Sequence, residues 1–245
     1  MNLTMAELFA GIAGWSEAAK MAGGITPVWC SEIDKKKNEI VKLRHPKLVN
    51  YGDIKTIRNP PNTDILTVSF PCTGISVAGK GEGLEDKNSG LWFEAERIIS
   101  KGRFRYIVIE NGPALTVRGL NRILGFFASI GYDAEWTHLS GFQFGVQQRR
   151  KRLYFIAYTN KGRQQSKCNE KTIFRKLETG IRLHPMPIYP GWRERRDIPE
   201  PRTYGSAYDI PGGVHRLVCT GDAIIPLIGC YILECIKIHA HNDNR

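Results

Sequence analysis

Where an apolar, β-branched run gives way to a glycine-rich segment, a cysteine follows directly on a proline, in the stretch Thr67-Val68-Ser69-Phe70-Pro71-Cys72-Thr73-Gly74-Ile75-Ser76. A cysteine held near cationic groups reacts as a thiolate, the nucleophile of covalent catalysis. The run from Asp64 to Phe70 has the make-up of a buried strand, and Pro71 lacks the amide that a ladder needs. Cys72 is therefore expected at a strand's carboxyl end, the edge where open parallel α/β sheets bind their ligands. A second apolar run, Tyr106-Ile107-Val108-Ile109, ends in Glu110-Asn111 and brings a carboxyl group to the same edge. The basic run Gln147-Gln148-Arg149-Arg150-Lys151-Arg152 precedes an apolar strand, Leu153 to Tyr158. Such a run is usually a solvated face, but fixed against a core strand it can aim guanidiniums into a site.

Positioning these groups falls to the elements around them. Met5 to Ala10 reads as a short strand running into Gly11-Ile12-Ala13-Gly14, and Trp15 to Met21 as a helix stopped by Gly23-Gly24. Thr26 to Cys30 is a second strand ending in Ser31-Glu32-Ile33-Asp34, followed by a lysine-rich helix to about His45, ahead of Pro46. This is the layout of a nucleoside-binding βαβ unit, in which a turn after the first strand approaches the ligand and a carboxylate after the second, Glu32, holds the ribose hydroxyls. The glycines do not follow GxGxxG, so a nucleoside without a pyrophosphate fits better than a dinucleotide. Tyr51-Gly52-Asp53-Ile54 offers a further carboxylate, able to accept from an adenine amino group. Thr73 to Gly90 carries five glycines, the composition of a loop that closes over a site. Trp92 to Ser100 and Leu120 to Ile130 read as helices, the second assigned to core packing, and 132–140 as a strand.

A chain of 245 residues, 42% hydrophobic, suits one large domain or one domain carrying an insertion. Its net charge of +11 favours a polyanionic partner, with nucleic acid first. The six cysteines show no CxxC pair and no zinc spacing, and no secretory leader precedes them, so reduced intracellular thiols and no metal are expected. The most apolar segment, Ala223 to Ile236, contains Pro226 and Glu234 and is shorter than the roughly twenty residues of a membrane span. Residues 159–205 hold eleven Lys/Arg against five Asp/Glu, a net +6, with five of the thirteen prolines. They read as a loop-rich insert facing phosphates, with Lys161 and Arg163 as backbone contacts and Trp192, Arg193 and Arg195 as base readers. The rest, 1–158 and 206–245, would form the catalytic domain.

In this order and at these spacings the motifs resemble the cytosine-C5 DNA methyltransferase family, bacterial or phage type. Leu8-Phe9-Ala10-Gly11 is similar to its S-adenosylmethionine loop, Pro71-Cys72 to its nucleophile pair and Glu110-Asn111 to its Glu-Asn-Val signature. Gln148, Arg150 and Arg152 match its QxRxR, and Gly221 to Ala223 its terminal GNx segment. The resemblance implies a Rossmann-like α/β methyltransferase sheet with helices on both faces and a small irregular target-recognition insert. It implies S-adenosylmethionine as cofactor, held by Phe9, Gly11, Glu32, Ile33, Asp53, Ile54, Pro71, Asp222 and Ala223, and Cys72, Glu110, Arg150 and Arg152 as catalytic residues. Ser76 and Gln148 would then touch double-stranded DNA from which the cytosine is flipped. It further implies a cytoplasmic monomer, at the bacterial nucleoid or in a phage-infected cell, accompanied by a restriction endonuclease. Ala13, Thr73, Gly112 and Asp222 depart from the family's usual residues, and a carboxylate at Asp222 would repel the carboxylate of the cofactor's methionine part. Two other readings fit the same residues: an RNA cytosine methyltransferase of the related tRNA-acting class, and a DNA-binding regulator that keeps the fold without turnover.

Overall fold

The computed structural model describes residues 2–71, 91–146, 150–159, 173–174 and 223–243. Cys72, Ser76, the rest of the glycine-rich stretch, Gln148, Lys161, Arg163, Trp192, Arg193, Arg195 and Asp222 lie outside the described residues. Among those described, seven strands form one sheet: β1 (Leu3–Leu8), β2 (Ile25–Ser31), β3 (Val49–Asn50), β4 (Ile65–Val68), β5 (Tyr106–Asn111), β6 (Tyr132–Ser140) and β7 (Lys151–Thr159). Their spatial order is β3-β2-β1-β4-β5-β7-β6. The first five are parallel, and β7 enters between β5 and β6, antiparallel to both. The order reverses between β1 and β4, and such a switch point opens a crevice beyond the carboxyl ends of the two strands.

The central strands are apolar without alternation because both faces are covered: β4 and β5 are buried at every residue. Ala6, Leu8, Leu66, Val68, Ile107, Ile109 and Phe155 face helices α3 (Leu91–Lys101) and α5 (Leu120–Ser129), where Trp92, Ile98, Ile123 and Phe127 complete a core. Met5, Ile65, Tyr106, Val108, Tyr154 and Ile156 face the other way. There Trp15 and Ala18 of α1 (Gly14–Ala22) meet Ile228, Ile232 and Ile236 of the C-terminal helix, Pro226–Asp243. Fully burying each such side chain contributes about 1.5–3 kcal/mol relative to leaving it exposed. Helix α2 (Lys35–Arg44) instead buries only Val41, and the short α4 (Leu115–Arg118) follows β5. The C-terminal helix, α6, is clasped to α1: Lys237 Nζ donates to the carbonyls of Ala22 and Gly23 at 2.7 and 3.1 Å, a cation at α1's negative end. A Cβ at Gly14 would stand 2.8 Å from Ile224 Cγ1, so this glycine serves close packing of the returning segment.

Two strand boundaries differ from the sequence reading. Strand β1 starts at Leu3, which pairs with Ile25, and stops at Leu8 because Phe9 takes φ 59°. Strand β7 starts at Lys151, not Leu153: Lys151 and Arg152 pair with Ser140 and Leu139, so the basic run enters the sheet. Helix α6 starts at Pro226, a residue suited to a first helical turn because its missing amide would have had no partner there. Within 159–205, Ile173 is buried in the core, and the amides of Ile173 and Phe174 donate to the Glu135 carboxylate at 2.9 and 3.2 Å. No helix among the described residues is long and apolar enough to cross a membrane.

Candidate active site

The turn after β1 is built from unusual backbone. Phe9, Gly11 and Ala13 have φ of 59°, 58° and 61°. Only glycine adopts that region freely, so Phe9 and Ala13 are held there by their surroundings. Part of the holding comes from Glu7, buried on β1, which accepts hydrogen bonds from the Ser16 hydroxyl and from the backbone amides of Ser16 and Trp15. Ala13 offers α1 no side-chain cap, so this strand carboxylate satisfies the helix's first amides in its place. Trp15 Nε1 in turn donates to Ser69 Oγ at 3.2 Å, tying the turn to the end of β4. Glu7 was not singled out from the sequence, where an acid inside an apolar strand was the available signal.

Burial pushes the Glu7 carboxyl from 4.5 up to about 7, against the opposing effect of those hydrogen bonds. The folded chain then keeps a proton between those values that the unfolded chain has already released. Glu7 therefore makes stability fall as pH rises through that window, by up to about 1.4 kcal/mol per pH unit. In urea unfolding, the stability difference between Glu7→Gln and the unchanged chain should drift from pH 5 to pH 7 and level off above. A difference constant with pH would mean that Glu7 does not titrate there.

The second strand end carries Glu32. Its Oε2 accepts from Gly11 N at 2.7 Å and its Oε1 from Asp34 N at 2.8 Å, which leaves each oxygen a further lone pair for a ligand. Asn50 clips this end to the next: Oδ1 accepts from Glu32 N and Gly52 N, while Nδ2 donates to the Glu32 carbonyl. Asp53 caps the 3-10 turn Ile54–Thr56, its Oδ1 accepting from Lys55 N at 2.9 Å. Ile33 is 70% exposed although apolar, and a Cβ on Gly11 would meet nothing within 4 Å among the described residues, so there the turn and the residue after Glu32 border open space. Cys30 beneath them is no rival nucleophile, since burial and the charges of Glu7 and Glu32 push its thiol up to about 12.

The third group gathers on the β4, β5 and β7 ends. Glu110 is buried, with Arg152 Nε at 3.3 Å and Arg150 Nη2 at 3.8 Å from its Oε1. Arg150 also donates through Nη1 to the Ala223 carbonyl, so the segment entering α6 is fixed to the same cluster. Tyr154 lies opposite Glu110 in register, and burial pushes its phenol up. Asn111 Nδ2 donates to the Phe70 carbonyl at 3.1 Å and its Oδ1 accepts from Gly112 N. Asn111 thus pins the residue before Pro71 beside the strand end that holds Glu110. The structure brings Phe9, Gly11, Glu32, Ile33, Asp53, Ile54, Pro71, Glu110, Arg150, Arg152 and Ala223 to one edge of the sheet. Asn111 stands in the Glu-Asn-Val-like pair of the sequence, whereas Asn50 and Trp15, whose polar groups also lock that edge together, had no signal there beyond their types.

The model of C-5 cytosine-specific DNA methylase matches residues 3–194. The Type II methyltransferase M.NgoBV of Neisseria gonorrhoeae is 33% identical over 166 residues, covering 60% of this chain and 39% of its own. M.BanI of Aneurinibacillus aneurinilyticus is 36% identical over 165 residues, covering 64% and 38%. The match thus spans about two fifths of the length of these two curated relatives. Among solved structures, the Dnmt2 methyltransferase of S. pombe superposes with a TM-score of 0.58 at 24% identity, over 74% of this chain and 57% of that one. Entamoeba histolytica methyltransferase EhMeth gives 0.57 at 16% identity, over 70% and 57%. These two agree with the strand order and the helices on both faces as a methyltransferase-type α/β fold. With well over half of its residues matched by the family model, the chain belongs to the C-5 cytosine-specific DNA methylase family.

Proposed function

We propose that this chain transfers a methyl group from S-adenosylmethionine to carbon 5 of a cytosine flipped out of double-stranded DNA, through a covalent bond to Cys72. The observation that carries the reading is the buried Glu110, flanked by Arg150 and Arg152, on the sheet edge that also presents Pro71 and the turn bordered by Glu32 and Asp53. The fit to the cofactor rests on Glu32 for the ribose hydroxyls, Asp53 for the adenine amino group, and exposed Ile33 with Phe9 for the adenine faces. When bound, S-adenosylmethionine supplies an electrophilic methyl group on a sulfonium that leaves as a neutral thioether, which calls for no metal.

The chain's own residues prepare the base. Carbon 5 of cytosine is a poor nucleophile until the Cys72 thiolate adds to carbon 6, which makes carbon 5 electron-rich. Negative charge then grows toward N3 and O2. Glu110 holds a proton at N3, and Arg150 and Arg152 stabilise O2 through preorganised donors that need no rearrangement in the transition state. After carbon 5 is methylated, loss of its proton to a base restores the ring's double bond and expels the Cys72 thiolate. A base inside a stacked duplex cannot be reached this way, so it is flipped into the crevice and residues 73–90 close around it. Residues 159–205 read the target, with Lys161, Arg163 and Gln148 on the strands and Trp192, Arg193 and Arg195 on base edges. The chain acts as a cytoplasmic monomer beside a restriction endonuclease of the same specificity.

Bisulfite sequencing of plasmid from a host expressing the chain tests this reading. Protected cytosines at one recurring short sequence are expected. Unprotected plasmid together with methylated host tRNA would assign the RNA activity instead, and absence of both in a chain that binds S-adenosylhomocysteine would assign the regulator.

A further inference from the structure

Arg97, in the middle of α3, spends its guanidinium on the turn that carries Asp53 and Ile54. Nη1 donates to the Ile57 carbonyl at 2.6 Å and Nη2 to the Ile54 carbonyl at 2.9 Å, while Nε meets Glu94 Oε2 at 2.7 Å. A 3-10 turn of three residues leaves its last carbonyls poorly satisfied from within: the Ile54 carbonyl receives Ile57 N only at 3.3 Å. At the front of the turn, Asp53 accepts Lys55 N on its side chain, and Thr56 N and Thr56 Oγ1 on its carbonyl. The front of the turn is thus held by Asp53 itself, and its back by an arginine reaching across from a helix forty residues further along the chain. Ile54 and Ile57 are buried below, so the turn cannot drift inward without breaking core contacts. Two carbonyls held by one planar fork fix both position and tilt, which a lysine ammonium cannot reproduce.

We infer that Arg97 is a positioning residue for the adenine subsite: by holding the carbonyls of Ile54 and Ile57 it sets where the Asp53 carboxylate meets the 6-amino group of the cofactor. The inference rests on the reading that Asp53 receives that group. It also places the subsite under the control of α3, the helix that follows the glycine-rich stretch 73–90 in the chain.

The test is calorimetric titration of the full chain with S-adenosylhomocysteine and with S-inosylhomocysteine, in which a 6-oxo group replaces the 6-amino group. Arg97→Met should weaken the adenosyl ligand about tenfold, the loss of one well-placed hydrogen bond to a charged group, and leave the weaker inosyl ligand unchanged. Arg97→Lys should show the same selectivity with a smaller loss, and carries the comparison should the methionine variant not fold. Adding Arg97→Met to Asp53→Ala should cost the adenosyl ligand nothing more. Equal weakening of both ligands by the Arg97 variants would overturn the inference, because a general loss of structure does not single out the 6-amino group. If Asp53→Ala weakens the adenosyl ligand and neither Arg97 variant does, the role of Arg97 falls and the adenine assignment stands. If Asp53→Ala leaves it unchanged, the adenine assignment falls as well.

Discussion

Glu110→Gln is expected to lower single-turnover methylation of a cytosine target by about 10²–10⁴-fold, the usual contribution of a positioned general acid. The substitution keeps the shape of the side chain and its ability to accept, but replaces the acidic proton proposed for N3 with amide hydrogens too weakly acidic to be transferred. DNA affinity, measured by fluorescence anisotropy, should hold, since the phosphate contacts proposed for 159–205 are untouched. In the unbound chain, before any proton is taken up for N3, the same change removes the carboxylate that pairs with Arg150 and Arg152 at 3.8 and 3.3 Å. Breaking a buried ion pair on one side destabilises by about 3–5 kcal/mol, so a fall in melting temperature should accompany the fall in rate. The two effects separate at low temperature: a variant that is fully folded and saturated with DNA yet turns over normally would remove Glu110 from the acid's role.

Cys72→Ala should abolish turnover altogether, because the proposed mechanism makes the bond to carbon 6 through that thiolate. Oligonucleotide carrying 5-fluorocytosine at the target is the sharper probe, since fluorine cannot leave as the carbon 5 proton does and the covalent complex accumulates. With S-adenosylmethionine present, the unchanged chain should migrate with the oligonucleotide in a denaturing gel and the Cys72→Ala variant should not. Cys30 is buried with its thiol pushed up to about 12, and burial likewise pushes up the Cys230 thiol, so neither offers a competing thiolate near neutral pH. An adduct that survives in the variant and maps to another cysteine would overturn the assignment.

Much of the candidate site was legible because its residues stand at the ends of apolar runs. A strand that is buried on both faces must be apolar throughout, so its end is marked by the first charged or proline residue, and that residue lies on the sheet edge by construction. Glu32, Glu110 and Pro71 were found this way, and the structure places them there. Glu7 breaks the pattern: a carboxylate inside a strand reads as a flaw until the capless α1 is seen above it. Arg97 is equally opaque. In the sequence it is one charged residue of an amphipathic helix, and only the fold lays its fork against the carbonyls of Ile54 and Ile57.

The sequence by itself determined the parts that depend on local chemistry: parallel strands from unbroken apolar runs, turns from glycine and proline, and the order of the motifs along the chain. The tertiary structure decided their neighbours. That Arg150 and Arg152 face Glu110 follows from β7 being inserted antiparallel beside β5, in a register that sets Leu153 opposite Asn111. That Ala223 returns to the catalytic cluster follows from the clasp of α6 on α1 through Lys237 and the close approach at Gly14. Contacts between residues 40 to 215 positions apart are set by which faces must be covered and which buried donors must find acceptors. That accounting closes only when every element is in place.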